Sequence, residues 1–117
     1  MVPVDRMVGT MVVAVCGACK DFDKLRAVLD ALHPDCVVHG DTSRADKMAG
    51  RWADARGVNV IPFPADWRKF RKAAGPIRNS IMLEAASPDV VVAFPGGGSD
   101  DMVAKAYDMG IPVLEVK

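Results

Sequence analysis

The sequence predicts a three-layer α/β domain built on a five-stranded parallel sheet with strand order 3-2-1-4-5. Three observations carry this reading. The runs at 11–16 and 90–94 are apolar without alternation, as strands are when both faces of a sheet are covered. Five strand-like runs are separated by segments whose apolar residues recur at helical spacing, and that alternation implies right-handed crossovers between parallel strands. The last run, Ile111-Pro112-Val113-Leu114-Glu115-Val116-Lys117, alternates and contains a proline, which belongs at a sheet edge.

The composition agrees with a single domain. The chain has 117 residues, half of them apolar and about a quarter charged, enough for one core and too few for two. Fifteen basic residues balance fifteen acidic ones, so no net field is available to hold nucleic acid without sequence preference. No apolar run approaches the ~20 residues that cross a bilayer, and the first ten residues lack the basic and then apolar regions of a signal peptide. A cytoplasmic protein with no membrane partner is expected. Three cysteines do not make a disulfide framework and fit a reducing compartment.

Taken in order, residues 1–10 read as a loose lead-in and 11–117 as the domain. The first strand, Met11 to Cys16, ends at Gly17-Ala18. Asp21 or Asp23 then caps a helix that buries Phe22, Leu25, Val28, Leu29 and Leu32 and stops at His33-Pro34-Asp35. The second strand, Cys36 to His39, runs into Gly40-Asp41-Thr42-Ser43. Ser43 and Asp46 have capping-box spacing, and Ala45, Met48, Ala49, Trp52 and Ala53 form one apolar stripe of a helix that ends near Gly57. The third strand, 58–61, is bounded by Pro62 and Pro64. A short helix and a break follow over 65–76. Pro76 suits the first turn of the next helix, with Ile77, Ile81, Met82 and Ala85 facing inward. After the fourth strand, Ser99 can cap a helix with Met102, Val103, Ala106, Tyr107 and Met109 as its apolar positions.

This strand order places a topological switch point between strands 1 and 4. The turns Gly17 to Lys20 and Gly96 to Ser99 therefore flank one crevice at the carboxyl ends of the strands. In Phe94-Pro95-Gly96-Gly97-Gly98-Ser99, strand, glycine loop and helix start follow one another directly. Glycines admit a bound group close to the backbone, and the free amides of a helix's first turn favour an anion, so a phosphate is the expected occupant. A tight turn with no ligand is the plain alternative.

Other groupings of reactive or charged residues have simpler roles open to them. Cys16-Gly17-Ala18-Cys19 has the spacing of a redox dithiol, and Gly110-Ile111-Pro112-Val113 is similar to the segment around the thioredoxin cis-proline. Against that, Cys16 ends a buried strand and Val15 replaces the aromatic residue of that motif, so core thiols are the alternative. His33 and His39 lack metal-ligand spacing, and no metal or other cofactor is expected. Arg68, Lys69, Arg71 and Lys72 read as a solvated face. Arg78 follows Gly-Pro at a helix start between Ile77 and Ile81, and its fork suits a phosphate. Trp67 can stack on a base or pack on the core.

His39-Gly40-Asp41 with Ala45-Asp46, Pro64-Ala65-Asp66-Trp67, Ala74-Gly75-Pro76-Ile77-Arg78-Asn79 with Met82, and Phe94-Pro95-Gly96-Gly97 with Asp101-Met102 together resemble the YspA-like branch of the SLOG superfamily. The resemblance spans nearly all of 11–117. It implies a Rossmann-like domain that binds nucleotides or nucleotide-derived ligands in a sensing or processing role. That superfamily includes DprA and the "lonely guy" phosphoribohydrolases, in which an Arg-Lys helix with a later Met faces a PGGxGT loop and two glutamates. Arg78, Asn79 and Met82 are similar to the first of these motifs and Pro95 to Gly97 to the second, with Asp101 near the first glutamate's place. Against those hydrolases the loop is one residue shorter, Ser99 replaces threonine and Met102 fills the second acidic slot; against the YspA-like pattern, Arg44 stands where glycine is preferred and Cys19 where arginine is often found.

The resemblance and the crevice together nominate Gly17, Ala18, Gly40, Asp41, Ser43, Arg78, Asn79, Gly96, Gly97, Gly98 and Ser99 as ligand-binding, with Arg78 and Asp101 as the catalytic candidates if there is turnover. The expected partner is a small nucleotide-type molecule. N-glycosidic hydrolysis of nucleoside monophosphates is the alternative function, and dithiol redox chemistry a third. Amphipathic outer helices also suit a homodimer.

Overall fold

The computed structural model describes residues 10–41, 44–96 and 99–117. The expected lead-in lies, but for Thr10, outside the described residues. The strands are β1 (Val12–Cys16), β2 (Cys36–His39), β3 (Asn59–Pro62), β4 (Val90–Ala93) and β5 (Val113–Glu115). They form one parallel sheet in the order β3-β2-β1-β4-β5, as the sequence predicts. Ala14 at the centre of β1 pairs with Val38 of β2 on one side and Val91 of β4 on the other. β1 is wholly buried, whereas edge strand β3 has no fully buried residue and carries Pro62 at its end. Both edge strands are displaced or shortened from the expected 58–61 and 111–117.

Helices cover both faces: α1 (Phe22–Leu32), α2 (Arg44–Arg56), α3 (Trp67–Phe70), α4 (Ala74–Ala86) and α5 (Ser99–Asp108). Successive strand residues point to opposite faces, which is why β1 must be apolar at every position. Val12, Ala14 and Cys16 meet Met82, Leu83 and Ala86 of α4 and Met102 and Ala106 of α5. Val13 and Val15 meet Leu25 and Leu29 of α1 and Ala45, Ala49 and Trp52 of α2. The three-layer expectation is met.

Local chemistry explains the helix ends. Asp21 caps α1, its carboxylate accepting from the backbone N–H groups of Asp23 and Lys24 at 3.0 and 3.2 Å. His33 closes the helix in the left-handed region at φ 51°, its N–H donating to the Leu29 carbonyl. Pro34 then bars continuation.

Two inward faces differ from expectation. On α4, Ile81 is 41% exposed while Leu83 and Ala86 are buried with Met82. That helix is apolar on several sides, so its period does not select a face. On α5, Met102 and Ala106 are buried, but Tyr107 is 60% exposed because it stands more than a quarter-turn from both. Met109 lies past the helix end and is exposed as well.

Nor is there a clean break before Pro76. α3 runs through a single 3₁₀ turn, Arg71–Ala73, into α4, where Pro76 occupies the first turn as expected. The junction is strained at Arg71, whose φ of 56° and ψ of −129° suit glycine. Its side chain is exposed, so little packing opposes a change there. Arg71→Gly is expected to stabilise the domain by about 1 kcal/mol, since relief of ~1–3 kcal/mol of strain exceeds the ~0.5–1 kcal/mol of added chain entropy. Urea unfolding of the two proteins checks this, and a lowered midpoint would contradict it.

Candidate functional site

The carboxyl ends of β1, β2 and β4 build the site. Gly17, at φ 106°, brings the turn after β1 directly onto Phe94. The Phe94 N–H donates to the Cys16 carbonyl at 2.9 Å, and the Ala18 N–H to the Pro95 carbonyl at 3.2 Å. The Ala45 N–H of α2 donates to the Gly17 carbonyl at 3.3 Å. The two turns predicted to face each other are thus joined by backbone hydrogen bonds. Ala18 and Gly96 are exposed on this seam, and a Cβ on Gly96 would lie 3.4 Å from that of Ala18. Ser99 is buried at the start of α5, its N–H donating to the Gly96 carbonyl at 3.1 Å. Ser43, Gly97 and Gly98 lie outside the described residues.

Gly40 is buried beside Arg78. The Nη1 of Arg78 donates to the Gly40 carbonyl at 2.5 Å and to the Phe63 carbonyl at 3.4 Å, and Nε donates to the Asn79 side-chain oxygen at 2.9 Å. A Cβ on Gly40 would stand 2.5 Å from the Arg78 Cζ, so only glycine leaves room for the guanidinium. Asp41, at φ 55°, turns the chain away and donates its N–H to the His39 Nδ1 at 3.0 Å. Arg78 therefore sits at the ends of β2 and β3, separated by Asn79 from the first turn of α5.

Asn79 is buried and donates its amide to Asp101 at 3.0 Å. Lys105 pairs with the same carboxylate oxygen at 2.9 Å and also donates to the Pro76 carbonyl at 2.5 Å. Burial pushes the Asp101 carboxyl upward, but the hydrogen bonds from Asn79 and Lys105 and the charges of Lys105 and Arg78 outweigh it and hold it below the ordinary value. Asp101 is a carboxylate at neutral pH. A continuous polar chain thus runs from Gly40 through Arg78, Asn79 and Asp101 to Lys105. Lys105 was missed in the sequence, although its i,i+4 spacing from Asp101 is a readable signal. Asp46, which has capping-box spacing from Ser43 and belongs to the motifs of the family resemblance, is 3% exposed.

The structure disfavours the dithiol. All three cysteines are free and buried. Burial first, and the Asp46 charge second, push the Cys16 thiol up to about 12 against the opposing Arg78. Cys19 donates its thiol hydrogen to the Asp21 carbonyl at 3.2 Å. A thiol so placed is a poor nucleophile. Among the described residues no group of three His, Cys, Asp or Glu side chains is placed to hold a metal ion, and no helix is long and apolar enough to cross a membrane.

His39 is 5% exposed, and burial lowers its pKa from 6.5 despite the nearby charges of Asp46 and Asp41. The neutral imidazole accepts from the Asp41 N–H, a bond the imidazolium cannot accept. Below about 6.5 the unfolded chain binds a proton that the folded chain resists, so stability present above that pH is lost as pH falls towards the lower folded value. We expect the melting temperature to drop between pH 7 and 5, and less steeply in His39→Asn, whose amide oxygen can still accept. Parallel melting profiles of the two proteins would contradict this.

A doubly wound parallel sheet with its switch point between β1 and β4 defines a Rossmann-like domain. Within that class the family is specific: a model of the YspA, cpYpsA-related SLOG family matches residues 11–70, and the chain belongs to that family. It is also similar to the Gene 61 protein of Mycobacterium phage D29, with 40% identity over 100 residues, covering 75% of this chain and 79% of that protein.

Proposed function

We propose that the domain binds a nucleotide or nucleotide-derived phosphorylated ligand in the crevice between the turns after β1, β2 and β4, in a sensing or processing role. The observation that carries this reading is the seating of Arg78. A guanidinium is fixed by backbone carbonyls and Asn79 in a gap that only Gly40 leaves open, at the carboxyl ends of β2 and β3. The positive end of α5 stands at the other side, behind Gly96 and Ser99. Gly17, Ala18 and Asp41 lie between, where a ribose would sit. Membership of the SLOG family supports a nucleotide-related ligand.

Thermal-shift and calorimetric titration with nucleoside monophosphates, ribose 5-phosphate and inorganic phosphate test the reading. Binding of a phosphorylated ligand that weakens at least tenfold in Arg78→Gln is expected. No binding by any of them, or equal binding by that variant, would overturn it.

One observation favours a second reading, hydrolysis of the N-glycosidic bond of a nucleoside monophosphate. Asp101 is held ionised at the first turn of α5, the state needed to stabilise positive charge developing on a ribose ring and the wrong one for donating a proton. Release of free base, lost in Asp101→Asn, is the expected chromatographic result. Turnover untouched by that change would remove Asp101 from the chemistry.

A further inference from the structure

Asn79 has a side-chain amide with two unlike ends, and its neighbours distinguish them. The residue is 6% exposed. Its Oδ1 accepts from the Arg78 Nε at 2.9 Å, and its Nδ2 donates to the Asp101 Oδ2 at 3.0 Å. Turned over, the amide would set a donor against the guanidinium and an acceptor against the carboxylate, leaving buried polar atoms unpaired. The amide therefore keeps one orientation for as long as Asp101 is ionised and in place.

Lys105, in the second turn of α5, keeps it in place. Its Nζ lies 2.9 Å from the same Oδ2 of Asp101, and it donates to the Pro76 carbonyl at 2.5 Å. Pro76 stands two residues before Arg78 in the first turn of α4. One ammonium thus ties the carboxylate of α5 to the turn of α4 that carries the guanidinium. Both partners of the ion pair are half-buried, so water screens their attraction only in part.

The consequence at Arg78 follows from the shape of its fork. Gly40 holds Nη1 and Asn79 holds Nε. The guanidinium is planar, so two nitrogens fixed from different sides set the direction of the whole group, whereas contacts at Nη1 alone leave it free to pivot. A ligand that takes up a pivoting guanidinium must also immobilise it, at a cost in affinity.

Resting on the reading of the crevice as a phosphate-ligand site, we infer that Lys105 is a positioning residue of that site: through Asp101 and Asn79 it fixes the direction in which Arg78 meets the ligand.

Calorimetric titration with inorganic phosphate, ribose 5-phosphate and nucleoside monophosphates tests this on the wild type, Lys105→Met, Lys105→Arg, Arg78→Gln and the Lys105→Met/Arg78→Gln double variant, with NMR of the arginine Nε–H groups alongside. The phosphorylated probe that binds the wild type is expected to lose about threefold to tenfold in affinity for Lys105→Met. Lys105→Arg, which can still pair with Asp101, should recover most of that loss, and Lys105→Met should cost nothing further in the Arg78→Gln background. The Arg78 Nε–H should exchange slowly with solvent in the wild type and quickly in Lys105→Met, a change that a lysine serving only stability would not cause. Unchanged affinity in Lys105→Met, or a loss that adds to that of Arg78→Gln, overturns the positioning while the phosphate site stands on the Arg78→Gln result. So does a wild-type Arg78 Nε–H that exchanges as fast as that of the exposed Arg68, a reading that needs no variant to fold. If no probe binds the wild type, the phosphate site falls and the positioning with it.

Discussion

Gly17→Ala is expected to destabilise this domain by about 3 kcal/mol or more, enough to remove much of the ~5–15 kcal/mol typical of a domain. Two independent penalties combine. At φ 106° an L-residue is strained whatever the space around it. The added Cβ would also lie 2.6 Å from the Phe94 carbonyl carbon and 2.9 Å from its Cα, and still closer to its carbonyl oxygen. These are backbone atoms of a residue whose N–H is bonded to the Cys16 carbonyl, so they cannot yield without opening the β1–β4 pairing. Gly110→Ala is the control. Its φ is 73° with nothing within 4 Å of the new Cβ, so only the conformational cost of about 1 kcal/mol applies. Urea unfolding of both variants decides the matter, and a Gly17→Ala midpoint close to that of Gly110→Ala would refute the clash.

Gly40→Ala is expected to abolish most ligand binding while leaving the fold intact. Here the new Cβ meets the far end of a flexible side chain, 2.5 Å from the Arg78 Cζ and 3.0 Å from its Nε. The guanidinium must leave, giving up its bonds to the Gly40 and Phe63 carbonyls, a loss of about 1–3 kcal/mol of stability. Affinity for the phosphorylated ligand should fall at least tenfold although Arg78 itself is unchanged. Because both substitutions act through one interaction, Gly40→Ala in an Arg78→Ala background should cost almost nothing further. Additive losses in that double-mutant cycle would show that Gly40 acts by some other route.

Both predictions depend on contacts that no local pattern announces. Gly17 and Phe94 are far apart in the chain, and the glycine is legible only as a strand-end turn. Arg78 is legible as a positioned arginine from its Gly-Pro setting and its apolar neighbours. What positions it, the carbonyls of Gly40 and Phe63, carries no side-chain signature. The pairing of Asn79 with Asp101 follows the same rule: the resemblance marks both residues, and only the packing of α4 against α5 joins them.

The sequence by itself determined the layered α/β plan and the strand order, because a strand buried on both faces must be apolar at every position and an edge strand tolerates proline. It also determined that the turns after β1 and β4 meet, because the two central strands are parallel neighbours and both end at the same edge of the sheet. Tertiary structure alone decided the inward face of α4, where apolar residues on several sides leave the period undecided until Leu83 and Ala86 meet β1 and β4. It decided that Trp67 stands half in water beside Gly75 and that Cys16 is a core thiol. It also decided that Arg78 fills the space a side chain on Gly40 would need. These outcomes turn on which backbone atoms approach within a few ångströms, and that depends on how distant segments close on one another rather than on the residues beside them.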